Sequence, residues 1–173
     1  MARACAAQIP EGCSVFLNIG TSTEAVAREL LHHRDLMVVT NNMNIANILV
    51  DNQECQIIVT GGALRRSDGG LVGNITIDTI RKFKFDIAVI GCSAMDEDGD
   101  LLDFDIHEVG VSQTIIAQCR KCFLVADHSK FSRTAPARIA SMQVLSAVFT
   151  DRRLPGELGE KCAEWGTQVV IAG

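Results

Sequence analysis

Phe16–Ala25 reads FLNIGTSTEA, an apolar run that breaks into a glycine, three consecutive hydroxyl side chains and a glutamate. A buried strand turning sharply into a helix has this composition, and the free N–H groups at the start of such a helix favour an anion. Gly20 allows close backbone approach, so Gly20-Thr21-Ser22-Thr23 is the first candidate phosphate cradle. It has neither the Walker A spacing nor G-x-G-x-x-G, and a nucleotide is not implied. The competing reading is an ordinary helix start, with Thr21 and Glu24 spaced as a capping box. Lys130, three residues after Asp127, can add positive charge to the same anion from another strand end. Arg65 and Arg66, just past Gly61-Gly62, are a second anion candidate, for which a plain surface turn is the simpler account.

The segment 95–108, MDEDGDLLDFDIHE, invites a calcium loop and fails as one. Counted from Asp96, positions 1, 3 and 5 are acidic, but the sixth is Leu101 instead of Gly and the twelfth is His107. Asp96, Asp98, Asp105 and Glu108, with His107 beside them, contain carboxylates that could pair for proton transfer. The bland account is a solvated turn at Asp98-Gly99 followed by an acid-rich helix N-terminus. Gly91-Cys92-Ser93-Ala94-Met95 departs from G-x-S-x-G at its last position, and no Ser–His–Asp order can be defended. Cys119 and Cys122 form C-x-x-C where a helix gives way to a strand. A redox pair sits at a helix N-terminus instead, and a zinc site needs a second pair, so structural thiols are expected.

Composition narrows the classes. With 173 residues, 47% hydrophobic, the chain can bury one core, and with no tyrosine and only 5% aromatic residues that core is expected to be aliphatic. Net charge is −5 and the isoelectric point about 5.3, which argues against a domain that grips nucleic acid by counterion release. RKFK at 81–84 is the densest basic cluster and reads as a solvated helix face. No stretch approaches the roughly 20 apolar residues that cross a bilayer, the N-terminus lacks signal-peptide features, and the seven cysteines have no framework pattern. A cytoplasmic chain with reduced thiols is expected.

Short β-branched runs alternate with longer amphipathic segments, the pattern of a mostly parallel α/β sheet flanked by helices. Strands are expected at Val15–Ile19, Met37–Thr40, Gln56–Val59, Ile87–Ile90, Phe123–Ala126, Ala147–Thr150 and Val169–Ile171. Helices are expected at Thr23–Leu31, Asn44–Val50, Ile75–Phe83, Asp105–Cys119 and Glu157–Trp165. Residues 1–8 read as the tail of a helix, as though the chain were cut from something longer. The first six strands end in IGTST, VTNN, VTGG, IGCSAMD, VADHSK and FTD. In an open α/β sheet ligands bind outside the shared carboxyl edge, so these polar ends converge on a small polar ligand.

Taken in order, NIGTSTEAVARELL, VVTNNMNIANIL, TGGALRRSDGGLVG, IAVIGCSAMDEDGDLLDFDIHEV and FLVADHSKFSRTA resemble the effector-sensing domain of DeoR-type bacterial transcription regulators, with the nearest likeness to glycerol-3-phosphate regulon repressors. The resemblance covers about Ile9 to about Pro155. It implies a fold shared with ribose-5-phosphate isomerases, glucosamine-6-phosphate deaminases and coenzyme A transferases. It also implies a single sensing domain over residues 1–173, with the family's N-terminal winged helix-turn-helix domain absent. The implied effector is a phosphorylated sugar or polyol, glycerol 3-phosphate favoured, acting as inducer. Oligomers are implied too, with operator DNA met only through the missing domain, and no catalysis, cofactor, metal or membrane. By the same resemblance Gly20, Thr21 and Ser22 receive the phosphate and Asn41, Gly61 and Gly62 line the pocket. Asp96 and Glu108 then face the hydroxyls, and Asp127, His128 and Lys130 close the far side. A sugar-phosphate isomerase or deaminase of the same fold is the alternative.

Overall fold

The computed structural model describes residues 1–173. In chain order the elements are α1 (Ala2–Ala6), β1 (Ser14–Leu17), α2 (Thr21–Glu29), β2 (Leu36–Thr40), α3 (Met43–Leu49) and β3 (Cys55–Val59). A short hairpin of β4 (Ala63–Arg65) and β5 (Gly70–Val72) leads to α4 (Asn74–Ile80) and β6 (Phe85–Ile90). Then come β7 (Ala94–Met95), β8 (Asp100–Asp103), α5 (Ile106–Ala117), β9 (Cys119–Val125) and β10 (Ala137–Ser141). The chain finishes with β11 (Ala147–Thr150), α6 (Leu158–Trp165) and β12 (Gln168–Ile171).

Seven strands form one sheet in the order β12-β11-β9-β6-β1-β2-β3, every pairing parallel. These are the seven strands that the alternating apolar runs predict. Side chains of a strand point alternately to its two faces, and the burial follows that period. Val15, Leu17, Val38, Ile87, Val89, Phe123 and Val125 pack under α1, α2 and α3. Phe16, Val39, Ala88, Ile90, Cys122 and Leu124 pack on the opposite face with residues of α4, α5 and α6. Because both faces are covered, the strands read as continuous apolar runs instead of a polar alternation.

Strand order reverses between β1 and β6: from β1 the chain winds outward to β2 and β3, and from β6 it winds outward to β9, β11 and β12. Such a switch point opens a crevice outside the carboxyl ends of the two central strands. Two additions escape the sequence pattern. The β4–β5 hairpin is antiparallel, and β10, β8 and β7 make a separate antiparallel sheet. Met95, Leu101 and Ile139 tie that small sheet into the core on the α5 side. No helix is long and apolar enough to cross a membrane.

Candidate functional site

The crevice at the switch point holds a cavity of about 160 Å3, small beside the roughly 300–1,000 Å3 of sites for drug-sized ligands. Its floor comes from the ends of β1, β6 and β9: Asn18, Ile19, Gly20, Gly91, Cys92, Ser93 and Val125. Thr21, Ser22 and Thr23 enter from the start of α2, Glu108 and Ser112 from α5, and Lys130 from the turn His128–Ser132. Arg65 and Asp68 reach in from the hairpin, and Asp103 from the end of β8. Only three of the sixteen lining residues are hydrophobic, so the ligand it suits is small and polar.

The start of α2 differs from the capping box that the sequence suggests. Its N-cap is Gly20, which has no side chain to offer, at φ 132° and ψ 151°, a conformation open only to glycine. Thr21 is already inside the helix. Glu24 turns away to accept from Asn42 Nδ2 at 3.2 Å and Asn44 Nδ2 at 3.0 Å. Thr23 Oγ1 donates to the Gly20 carbonyl at 2.7 Å. The backbone N–H groups of Thr21, Ser22 and Thr23 therefore have no partner in the chain, and they stand at the positive end of the helix dipole beside the cavity. Lys130 lines the same cavity and forms no salt bridge. Unpaired N–H donors with an unpaired ammonium in one small cavity can hold a phosphate monoester.

Glu108 is only 3% exposed, and neither carboxylate oxygen has a hydrogen-bond partner. Neighbouring Asn18 donates through Nδ2 to Ser112 Oγ at 3.0 Å and accepts through Oδ1 from Ile19 N at 2.8 Å, and its amide also pulls the Glu108 carboxyl down. Arg65 Nη2 stands 3.6 Å from Glu108 Oε2, an ion-pair separation too long for a hydrogen bond. The guanidinium is spent on Asp68, at 3.0 Å through Nε and 2.5 Å through Nη2, and on Asp105 at 2.7 Å through Nη1. Burial pushes the Glu108 carboxyl up to about 7; Arg65 pulls it down, while Asp103 and Asp68 push it further up. A buried carboxyl with both oxygens unpartnered is costly unless a ligand satisfies it. Hydroxyl groups suit it, since a carboxyl near neutrality can accept from or donate to each.

The candidate residues named from sequence separate into two groups. Gly20, Thr21, Ser22, Glu108 and Lys130 meet at the cavity; Asn41, Gly61, Gly62, Asp96, Asp127 and His128 lie outside its lining. Asn41 is fully buried and anchors the hairpin: its carbonyl accepts from Leu71 N at 2.7 Å and its Nδ2 donates to Leu71 O at 3.2 Å. Gly61 and Gly62 open the hairpin against α4, where Thr76 Oγ1 donates to Gly61 O at 2.6 Å. Asp96 closes the turn before β8 by accepting from the N–H groups of Asp98 and Asp100. Asp127 accepts from Ser129 N, and His128 pairs with Asp151 at 2.6 Å. These residues hold up the segments that carry Arg65, Asp103 and Lys130.

Arg65 lines the cavity, although a surface turn was its simpler reading, and it is held there by the distant Asp105. Asn18, Asp68, Asp103 and Ser112 carry no sequence signal as site residues; Asp103 is fixed by Ser93 Oγ at 2.8 Å. Burial pushes the Cys92 thiol up to about 12, so it stays protonated and is no nucleophile. The C-x-x-C pair differs from expectation in one respect. The neighbouring Cys122 thiol, aided by Lys84, holds Cys119 below the usual thiol range, while Cys119 and burial raise Cys122 well above it; Cys119 Sγ itself donates to the Ile116 carbonyl at 3.4 Å.

Fold and cavity define an α/β domain with a small polar cavity at the switch point of a parallel sheet. The architecture is similar to ribose 5-phosphate isomerase from Plasmodium falciparum, at a TM-score of 0.52 and 10% identity over 75% of this chain and 50% of that one. The sequence profile described as DeoR C terminal sensor domain matches residues 1–152, and the chain belongs to that family. Among curated proteins it is 46% identical over 155 residues to the glycerol-3-phosphate regulon repressor of Escherichia coli (strain K12), covering 90% of this chain and 62% of that protein. It is 47% identical over 142 residues to the Haemophilus influenzae protein of the same description, covering 82% and 55%. The chain thus spans less than two thirds of the length of these relatives.

Proposed function

We propose that this chain is the effector-sensing domain of a bacterial transcriptional repressor, and that the cavity takes a phosphorylated sugar or polyol. Glycerol 3-phosphate is the favoured ligand. The observation that carries this reading is the pairing, in one cavity, of unpartnered α2 N–H groups and free Lys130 with the unpartnered Glu108 carboxyl. The first set suits a phosphate and the second suits hydroxyls. The small cavity volume favours a three-carbon ester over a nucleotide.

In this account a winged helix-turn-helix domain preceding residue 1 binds operator DNA, and the whole protein works in the cytoplasm. Effector affinity that differs between two arrangements of an oligomer lowers operator affinity, so the ligand is an inducer. Exposed Leu64, Phe104 and Ile106 beside the Arg65–Asp105 ion pair support association of copies through apolar contact. The domain is a sensor and no enzyme, and needs no metal or cofactor.

Thermal unfolding against a panel of sugar phosphates tests the reading. A ligand at about 100 times its Kd stabilises the fold by roughly 2.7 kcal/mol. Flat melting curves across the panel sink it. One observation favours a second reading: a buried carboxyl near neutrality, such as Glu108, is also what a proton-transferring isomerase uses. Steady turnover of ribose 5-phosphate or glucosamine 6-phosphate would replace the sensor reading with that one.

A further inference from the structure

The charges around the cavity are unevenly matched. Three carboxylates line it, Asp68, Asp103 and Glu108, and its two cations are Arg65 and Lys130. Arg65 already satisfies Asp68 and, from outside the lining, Asp105. Asp103 has no cationic partner; it accepts from Ser93 Oγ and from the N–H groups of Phe104 and Asp105. Glu108 sits among these groups, feeling repulsion from both Asp103 and Asp68. Once a phosphate has taken Lys130 and the α2 N–H groups, no unpaired cation remains for a second anion.

We infer that the cavity reads ligand charge at the end remote from the phosphate, accepting a neutral hydroxyl and rejecting a second anionic group, with Glu108 as the discriminating side chain. This rests on the phosphate-ester reading and sharpens it: the effector class is the phosphomonoester of a neutral polyol, and phosphorylated carboxylic acids are excluded. Three points of geometry support it. Glu108 is almost fully buried, so water cannot screen its charge from a ligand. Both of its oxygens are buried without a hydrogen-bond partner in the chain. Its nearest cation, Arg65, is bound to other carboxylates and cannot swing to meet a ligand acid without leaving them bare. Rejection of this kind works through a repulsive group already in place, not through lost contacts.

Calorimetric titration of the chain at pH 8, where the Glu108 carboxyl is mostly ionised, makes the test. The ligands are glycerol 3-phosphate, 3-phosphoglycerate and the neutral carboxamide of the latter. The acid is expected to bind at least about tenfold more weakly than glycerol 3-phosphate, and the carboxamide to within about threefold of it. Glu108→Gln, which keeps the shape and removes the charge, is expected to bring the acid to within about threefold as well. Equal affinity for acid and polyol in the unmodified chain overturns the inference. So does a carboxamide as weak as the acid, because bulk and not charge would then be excluded; this comparison needs no variant. A gap that persists in Glu108→Gln removes Glu108 from the role. Binding of none of the three has a different signature: it overturns the phosphate-ester reading and takes the inference with it.

Discussion

Replacing Glu108 with glutamine should stabilise the ligand-free protein at alkaline pH, and by an amount the structure sets. The folded carboxyl sits at about 7 against its ordinary value of 4.5, chiefly because burial disfavours the ion. The folded chain therefore keeps a proton that the unfolded chain has lost between those values. Stability falls as pH rises through this window, because folding then requires uptake of a proton that is increasingly scarce. The wild-type burden is small near pH 4, under about 1 kcal/mol at pH 5 and on the order of 3 kcal/mol at pH 8. Glutamine has no such term. Urea unfolding of both proteins at several pH values from 5 to 8, without ligand, should show their difference moving in favour of Glu108→Gln by about 2 kcal/mol. Parallel stability curves would refute the reasoning, since they would mean that Glu108 titrates normally and is neither buried nor unpartnered. Glycerol 3-phosphate should reduce the difference if its hydroxyls satisfy the wild-type carboxyl.

Other perturbations separate the parts of the site. Lys130→Ala should weaken glycerol 3-phosphate by roughly tenfold or more, as expected for a lost charge-assisted hydrogen bond, with far less effect on glycerol; equal losses in calorimetry would remove Lys130 from the phosphate. Gly62→Ala forces a Cβ to 2.1 Å from Thr76 Oγ1 and 2.7 Å from the Val72 carbonyl at φ 136°, and should lower the melting temperature by about 4–8 °C. Gly159→Ala, with nothing within 4 Å of the new Cβ, should not lower it. Arg65→Met frees Asp68 and Asp105, so amide hydrogen exchange across 63–72 should quicken while β6 and β9 stay protected; unchanged exchange would mean that the ion pairs do not hold the hairpin.

Much of the fold was legible because its signal is local. The five inner parallel strands are buried on both faces, so runs such as Phe85–Ile90 stand out as apolar without reference to the rest of the chain. The small antiparallel elements were not legible. Ala63–Arg65 and Ala94–Met95 are too short for a period, and their pairing is decided by contacts such as Asn41 with Leu71. The start of α2 was legible as a helix start but mistaken in its cap. Thr21 and Glu24 have capping-box spacing, yet Asn42 and Asn44 outbid the helix for the Glu24 carboxylate. Glu108 and Lys130 could be named from motif and position. Arg65 was legible as a second anion candidate but read more simply as a surface turn, because the carboxylate that directs it, Asp105, is 40 residues away. Asn41 and Asp96 look like ligand-binding residues in sequence for the same reason that they work as supports: amides and carboxylates bond backbone wherever it is left unpaired.

The account stands on one claim, that a phosphate ester rests against the first turn of α2. Nitrogen-15 NMR of the labelled chain, titrated with glycerol 3-phosphate, tests it residue by residue. The amide signals of Thr21, Ser22 and Thr23, free of any partner in the chain, should shift saturably as they take up hydrogen bonds, and glycerol at the same concentrations should leave them in place. Saturable shifts confined to another part of the chain, or none while the signals of Thr21–Thr23 remain fixed, would contradict it.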